Sequence, residues 1–106
     1  MLRHIVFFSA SDPGDLDRIA AGLALLGTIP EVRHFEVQRN QKVDQVGNDV
    51  DLVVYAEFDD MASLAAYKAH PTYAEATRQV RPLRSMRMAA DFEATGAGAV
   101  PLRRSA

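Results

Sequence analysis

The sequence predicts an α+β domain: a four-stranded antiparallel sheet carrying its helices on one face, in the order βαββαβ. Three observations carry this reading. Four extended runs, near residues 2–9, 32–39, 50–58 and 84–92, are separated by turn or helix signals. Two intervening stretches repeat apolar residues at helical spacing. The connection between the second and third runs is a polar loop with no helical pattern.

The first run holds Ile5, Val6, Phe7 and Phe8, all strand formers, and stops at Ser9–Asp12. Asp12-Pro13-Gly14-Asp15 then reads as a helix start, with Asp12 as the cap and Pro13 where a missing N–H costs nothing. Leu16, Ile19, Ala20, Leu23 and Leu26 recur on one side of that helix, and Gly27 is placed to end it in a left-handed cap. In the second strand Phe35 and Val37 face one way, while His34, Glu36 and Gln38 face the other. Residues 41–49 form a polar loop longer than a tight hairpin needs. After the third strand, Asp59 or Asp60 caps a helix on which Met61, Leu64 and Tyr67 share a side. Pro71 pushes His70 out of helical geometry, so this helix ends near His70 and a second begins at Pro71. Tyr73, Thr77 and Val80 make the stripe of that second segment, and Pro82 stops it ahead of the fourth strand. The plan is ferredoxin-like. The domain is expected over residues 1–93. Residues 94–106, rich in small residues and ending near Arg103-Arg104, read as a loose tail; the alternative is an arm exchanged across a dimer through Val100 and Leu102.

A chain of 106 residues suits one domain with a modest core that gains from a partner. Twelve basic against 14 acidic side chains leave a net charge of −2, so no nucleic-acid or membrane field is expected. There is no cysteine, which removes disulfides and thiolate metal sites, and no apolar run approaches the ~20 residues of a membrane span. The opening residues are too soon polar for a signal peptide, so a cytoplasmic protein is the expectation.

An antiparallel sheet with helices on one face leaves its other face to alternate to polar residues. Strands one and three do not alternate. Helices can cover His4, Val6 and Phe8 with Leu52, Val54, Ala56 and Phe58, which leaves Ile5, Phe7, Val53 and Tyr55 in need of a second cover. The same face of a second copy supplies one, giving a two-fold homodimer with its sheets stacked.

Four segments carry a resemblance: Arg3-His4-Ile5-Val6-Phe7-Phe8, the run from Asp51 to Asp59, Tyr67-Lys68-Ala69-His70-Pro71, and Ala90-Asp91-Phe92-Glu93. Together they resemble the stress-responsive dimeric α/β-barrel (Dabb) domain family, over about residues 3–93. The resemblance implies a homodimer whose sheets form a barrel, and a cavity between sheet and helices in each protomer. Most members have no assigned chemistry. One branch, the plant olivetolic acid cyclase and its relatives, closes linear polyketides by an aldol-type condensation without metal or organic cofactor. Its catalytic tyrosine corresponds to Tyr67, and its catalytic histidine to the position of Tyr73. Monooxygenase and haem-degrading relatives of the dimeric barrel often use a tryptophan, which this chain lacks.

The candidate ligand site is therefore His4, Val6, Phe8, Val54, Leu64, Tyr67, His70 and Tyr73, an apolar pocket with a few convergent polar groups for a small hydrophobic compound carrying a carbonyl or hydroxyl. Each polar member has a plainer reading: His4 as a structural histidine, His70 as a clamp on the helix break, and the tyrosines as half-buried aromatics. In the catalytic reading His4, Tyr67 and His70 act, with a histidine as base and a tyrosine donating to an oxyanion. A free tyrosine is ionised only to roughly one part in a thousand at pH 7, so Tyr73 does not replace a histidine base. His4, His34 and His70 lack the close spacing of a transition-metal site. No cofactor is expected, although oxygen-bound Mg²⁺ stays open. Arg78, Arg81, Arg84 and Arg87 read first as partners of a helix end and solvent, and second as an anion-binding rim. Two functions follow: a non-catalytic dimeric stress-associated or small-molecule-binding module, and a cofactor-independent cyclase, lyase or isomerase of polyketide-like carbonyl compounds.

Overall fold

A computed structural model of the chain describes residues 1–96 and 98–100. Its strands are β1 (Leu2–Ala10), β2 (His34–Arg39), β3 (Leu52–Phe58) and β4 (Arg84–Glu93). Its helices are α1 (Leu16–Ala24), α2 (Met61–Ala69) and α3 (Pro71–Val80), with short 3₁₀ turns at Pro13–Asp15 and Leu25–Thr28. The strands pair antiparallel in the order β2-β3-β1-β4. The fold is ferredoxin-like, as the element order predicts.

The register decides which side chains meet. His4 lies opposite Ala56 on β3 and Asp91 on β4, and Phe8 lies opposite Leu52 and Arg87. One face thus carries Leu2, His4, Val6 and Phe8 beside Leu52, Val54, Ala56 and Phe58, and all eight are buried under the helices. Ile19, Leu23, Leu26 and Ile29 from the α1 side and Leu64, Tyr67, Ala76 and Val80 from α2 and α3 complete the core. Gly22 lets α1 approach α3 closely: a Cβ there would stand 2.9 Å from Val80 Cγ2.

The other face is open and apolar. Phe7, Met88 and Phe92 are 37%, 62% and 48% exposed, and Ile5, Val53 and Tyr55 are half-buried beside them. On the β2 side of this face Tyr55 Oη donates to Glu57 Oε2 at 2.5 Å, and His34 Nε2 meets Glu36 Oε2 at 2.8 Å.

Local capping follows the sequence in most places. Asp12 Oδ1 accepts from the Gly14 N–H, and Asp60 Oδ1 from the Ser63 N–H. Asp59 is not the cap; it pairs with Arg33. Two expectations need correction. Gly27 is not a left-handed cap but lies in the 3₁₀ turn, where its missing side chain makes room for the Phe35 ring. Met61, the first residue of α2, stays 64% exposed instead of joining Leu64 and Tyr67 in the core. The Ala94 N–H donates to the Met1 carbonyl, which extends the β1–β4 ladder past Glu93. Leu102, Arg103 and Arg104, invoked for the tail and the exchanged arm, lie outside the described residues. Among the described residues no helix is long and apolar enough to cross a membrane.

Candidate functional site

The α2–α3 break positions the site. His70 adopts φ −69°, ψ 141°, ending α2, and Pro71 opens α3. Its ring then turns onto the new helix, where Nδ1 accepts the Thr72 N–H at 3.1 Å. His70 is thus an N-cap, the role usually given to Ser or Asp. The bend leaves Tyr67, one turn earlier, and Tyr73, in the first turn of α3, with their rings edge to face at 5.3 Å. Tyr67 is fully buried and also packs on Phe58 at 4.8 Å and on His4 at 6.2 Å.

Between these rings and the sheet is a cavity of about 40 Å³. His4, Val6, Phe8, Val54, Tyr67 and Tyr73 line it. Leu64 and His70 do not: Leu64 belongs to the packed core, and His70 faces the α3 N-terminus. The wall is completed by Leu23, Leu26, Ala76, Thr77 and Val80, and by Arg81, Arg84 and Arg87. A water needs roughly 10–15 Å³ on this measure, so the space suits a few small polar or apolar groups and not a bulky ring system.

His4 is the polar centre. Its side chain is 2% exposed, and Nδ1 lies 2.5 Å from Asp91 Oδ1. Burial pushes the imidazole below its ordinary pKa; the Asp91 hydrogen bond and charge oppose this, and the Lys68 and Arg87 charges add to it. A neutral ring beside a carboxylate carries its proton on Nδ1, which leaves the Nε2 lone pair free to accept. Among the described residues Nε2 has no protein partner. Burial raises the Tyr67 hydroxyl well above the usual tyrosine value, reinforced by Tyr73 and weakly opposed by Arg87, so it stays a donor at any ordinary pH. The arrangement combines an oriented acceptor or base with a neutral aromatic hydroxyl at one cavity.

Sequence reasoning missed Asp91 as the partner of His4. The signal was latent in the alternation of β4, but it needs the β1–β4 register to be read. All four arginines of the basic run were visible; the place of Arg81, Arg84 and Arg87 on the cavity wall was not. Among the described residues no group of three or more potential metal ligands comes together.

Residues 2–94 match the family model of the stress responsive A/B barrel domain. No curated protein matches the chain significantly. Among solved structures, a dimeric ferredoxin-like protein of unknown function from Jannaschia sp. CCS1 is similar at TM-score 0.74 and 27% identity, over 87% of this chain and 97% of that one. A second, from Thermobifida fusca and described in the same words, gives TM-score 0.73 and 25% identity over 86% and 88%. A protein from Arabidopsis thaliana gives TM-score 0.77 at 18% identity over 96% and 100%, a likeness of fold alone.

Proposed function

The chain belongs to the stress responsive A/B barrel domain family, and on that premise we propose that it is a homodimer binding a small carbonyl or hydroxyl compound in the cavity between sheet and helices. The observation that carries the reading is a buried, neutral His4 oriented by Asp91 at the wall of an apolar cavity. An acceptor left open toward a cavity fits a hydroxyl or enol donor on a ligand. The dimer is proposed through Ile5, Phe7, Val53 and Tyr55, with Met88 and Phe92 extending the patch. Two similar proteins are described as dimeric, and the exposed apolar face needs a cover.

The experiment is calorimetry with short ketones and keto acids, such as 2-pentanone and 4-oxopentanoate, on the wild type and Thr77→Phe. Thr77 is half-exposed on the cavity wall, so a phenyl group there fills the space without rebuilding the core. Binding to the wild type and its loss in Thr77→Phe is the expected result. No binding by the wild type, or equal binding by both, refutes the site.

The His4–Asp91 pair favours a second reading, cofactor-independent enolisation or aldol-type closure of a carbonyl compound. His4 Nε2 would take a proton from the carbon beside the carbonyl, the C–H pair forming the C=C bond of the enolate. The Tyr67 hydroxyl would donate a hydrogen bond to the resulting oxyanion. Tyr67 keeps its proton throughout, in line with its raised pKa. His70, committed to capping α3, takes no part. Deuterium uptake beside the carbonyl, lost in His4→Gln and kept in His70→Ala, is the signature of this reading. Binding without any exchange leaves the non-catalytic module.

A further inference from the structure

The mouth of the cavity has a charge pattern that neither the fold nor the histidine explains. Arg81, Arg84 and Arg87 all lie on its wall. Among the described residues none of the three has a carboxylate within ion-pair distance, whereas Arg18, Arg33, Arg39 and Arg78 each do. The chain is net −2, so this is a local concentration of cations against the overall charge. Arg84 is half-buried, and its guanidinium is held below its usual pKa by burial and then by the charges of Arg87 and Arg81. Among the described residues no acidic group offsets that crowding; Tyr73 opposes it.

A helix dipole accounts for one of these side chains. Arg81 caps the C-terminus of α3, where a cation is favourable by about 0.3–1 kcal/mol. Arg84 and Arg87 belong to β4 and have no such role. Arg87 lies opposite Phe8 and Asp91 opposite His4, so the cationic end and the histidine end of the cavity are four strand residues apart, about 13 Å at the backbone. Arg87 and His4 both line the cavity that lies between those ends.

The geometry points to a short keto or hydroxy carboxylate as the ligand, its carboxylate held by Arg84 and Arg87 and its carbonyl or hydroxyl end at His4. This rests on the proposal that the cavity binds a small carbonyl or hydroxyl compound, and it names the charge that compound carries. Guanidinium groups suit a carboxylate, which they grip through paired N–H donors. The small volume limits the buried part to a few heavy atoms.

The test compares 4-oxopentanoate with 2-pentanone, its uncharged counterpart with the same chain length, by calorimetry at low and high salt. Wild type, Arg87→Gln and Arg84→Gln/Arg87→Gln are measured, each checked for folding by thermal melting. Arg87 is exposed, so Arg87→Gln remains informative if the double variant does not fold. The wild type should bind the acid at least about tenfold more tightly than the ketone. That preference should shrink in Arg87→Gln, vanish in the double variant and weaken with salt. Equal affinity for the two compounds, or a preference that survives the arginine substitutions, overturns the anion site and leaves the cavity reading intact. Failure of both compounds to bind overturns the two together.

Discussion

Acidification from pH 7.5 to 5.5 should destabilise this protein through one histidine. His4 is buried, and its pKa is lowered from the ordinary value of 6.5 chiefly by burial. A lowered folded-state pKa means the unfolded chain takes up a proton that the native state refuses. The associated stability is complete above about pH 6.5 and is lost as the pH falls toward the native pKa. If His4 refused the proton entirely, the loss by pH 5.5 would reach about 1.4 kcal/mol, or roughly 6–10 °C in melting temperature for a domain of this size. Asp91 opposes the shift by hydrogen bond and charge, so the wild type should lose less than this ceiling. Asp91→Asn removes that support. It should cost about 1 kcal/mol at pH 7.5, no more because the Asp91 side chain is 31% exposed, and should then lose stability more steeply on acidification. The assay is denaturant unfolding at fixed protein concentration across this pH range, with NMR titration of the His4 ring. His4→Gln serves as the reference, so contributions from His34 and His70 cancel. A His4 ring titrating at or above 6.5, or wild type and His4→Gln falling in parallel, would refute the reasoning.

Three further outcomes follow from the packing. Val53→Asp puts a charge into the apolar face at a cost of several kcal/mol in a stacked dimer, so sedimentation should show a dimer for the wild type and a monomer for the variant; a monomeric wild type at micromolar concentration rejects the dimer. His70→Ala removes the α3 cap and should lower stability by about 1 kcal/mol without changing ligand affinity, whereas a loss of binding would return His70 to the site. Gly27→Ala sets a Cβ 2.9 Å from the Phe35 ring and should cost about 1–3 kcal/mol in chemical denaturation, an effect absent if Gly27 were merely a flexible turn residue.

The frame of the molecule was legible because it depends on local signals. Pro71 forced the α2–α3 break, the Asp12 and Asp60 caps marked helix starts, and strand parity placed His4, Val6 and Phe8 on one face with Val54. What was not legible depends on register or on shape. Asp91 meets His4 only because β1 and β4 pair in one particular alignment, and no local pattern fixes that alignment. His70 and Leu64 were drawn toward the site by proximity in sequence to Tyr67, yet a helix cap and a packed core position claim them. Gly27 looked like a helix stop, the usual reason for a glycine at that point. The actual reason is a ring eight residues later, visible only in three dimensions. The arginines were read first as partners of a helix end and solvent, and only second as an anion-binding rim, because sequence alone could not show that the α3–β4 turn brings Arg81, Arg84 and Arg87 to one cavity wall.

The most direct test of the central claim is to map where a short keto acid meets the protein. Titrating 4-oxopentanoate into isotopically labelled protein and following side-chain NMR signals would do so. The account predicts the largest changes at His4, Val6, Val54, Tyr67 and Val80 around the cavity, with little change at Phe7, Val53 or Met88 on the open sheet face. Changes confined to that open face, or none at saturating ligand, would contradict it.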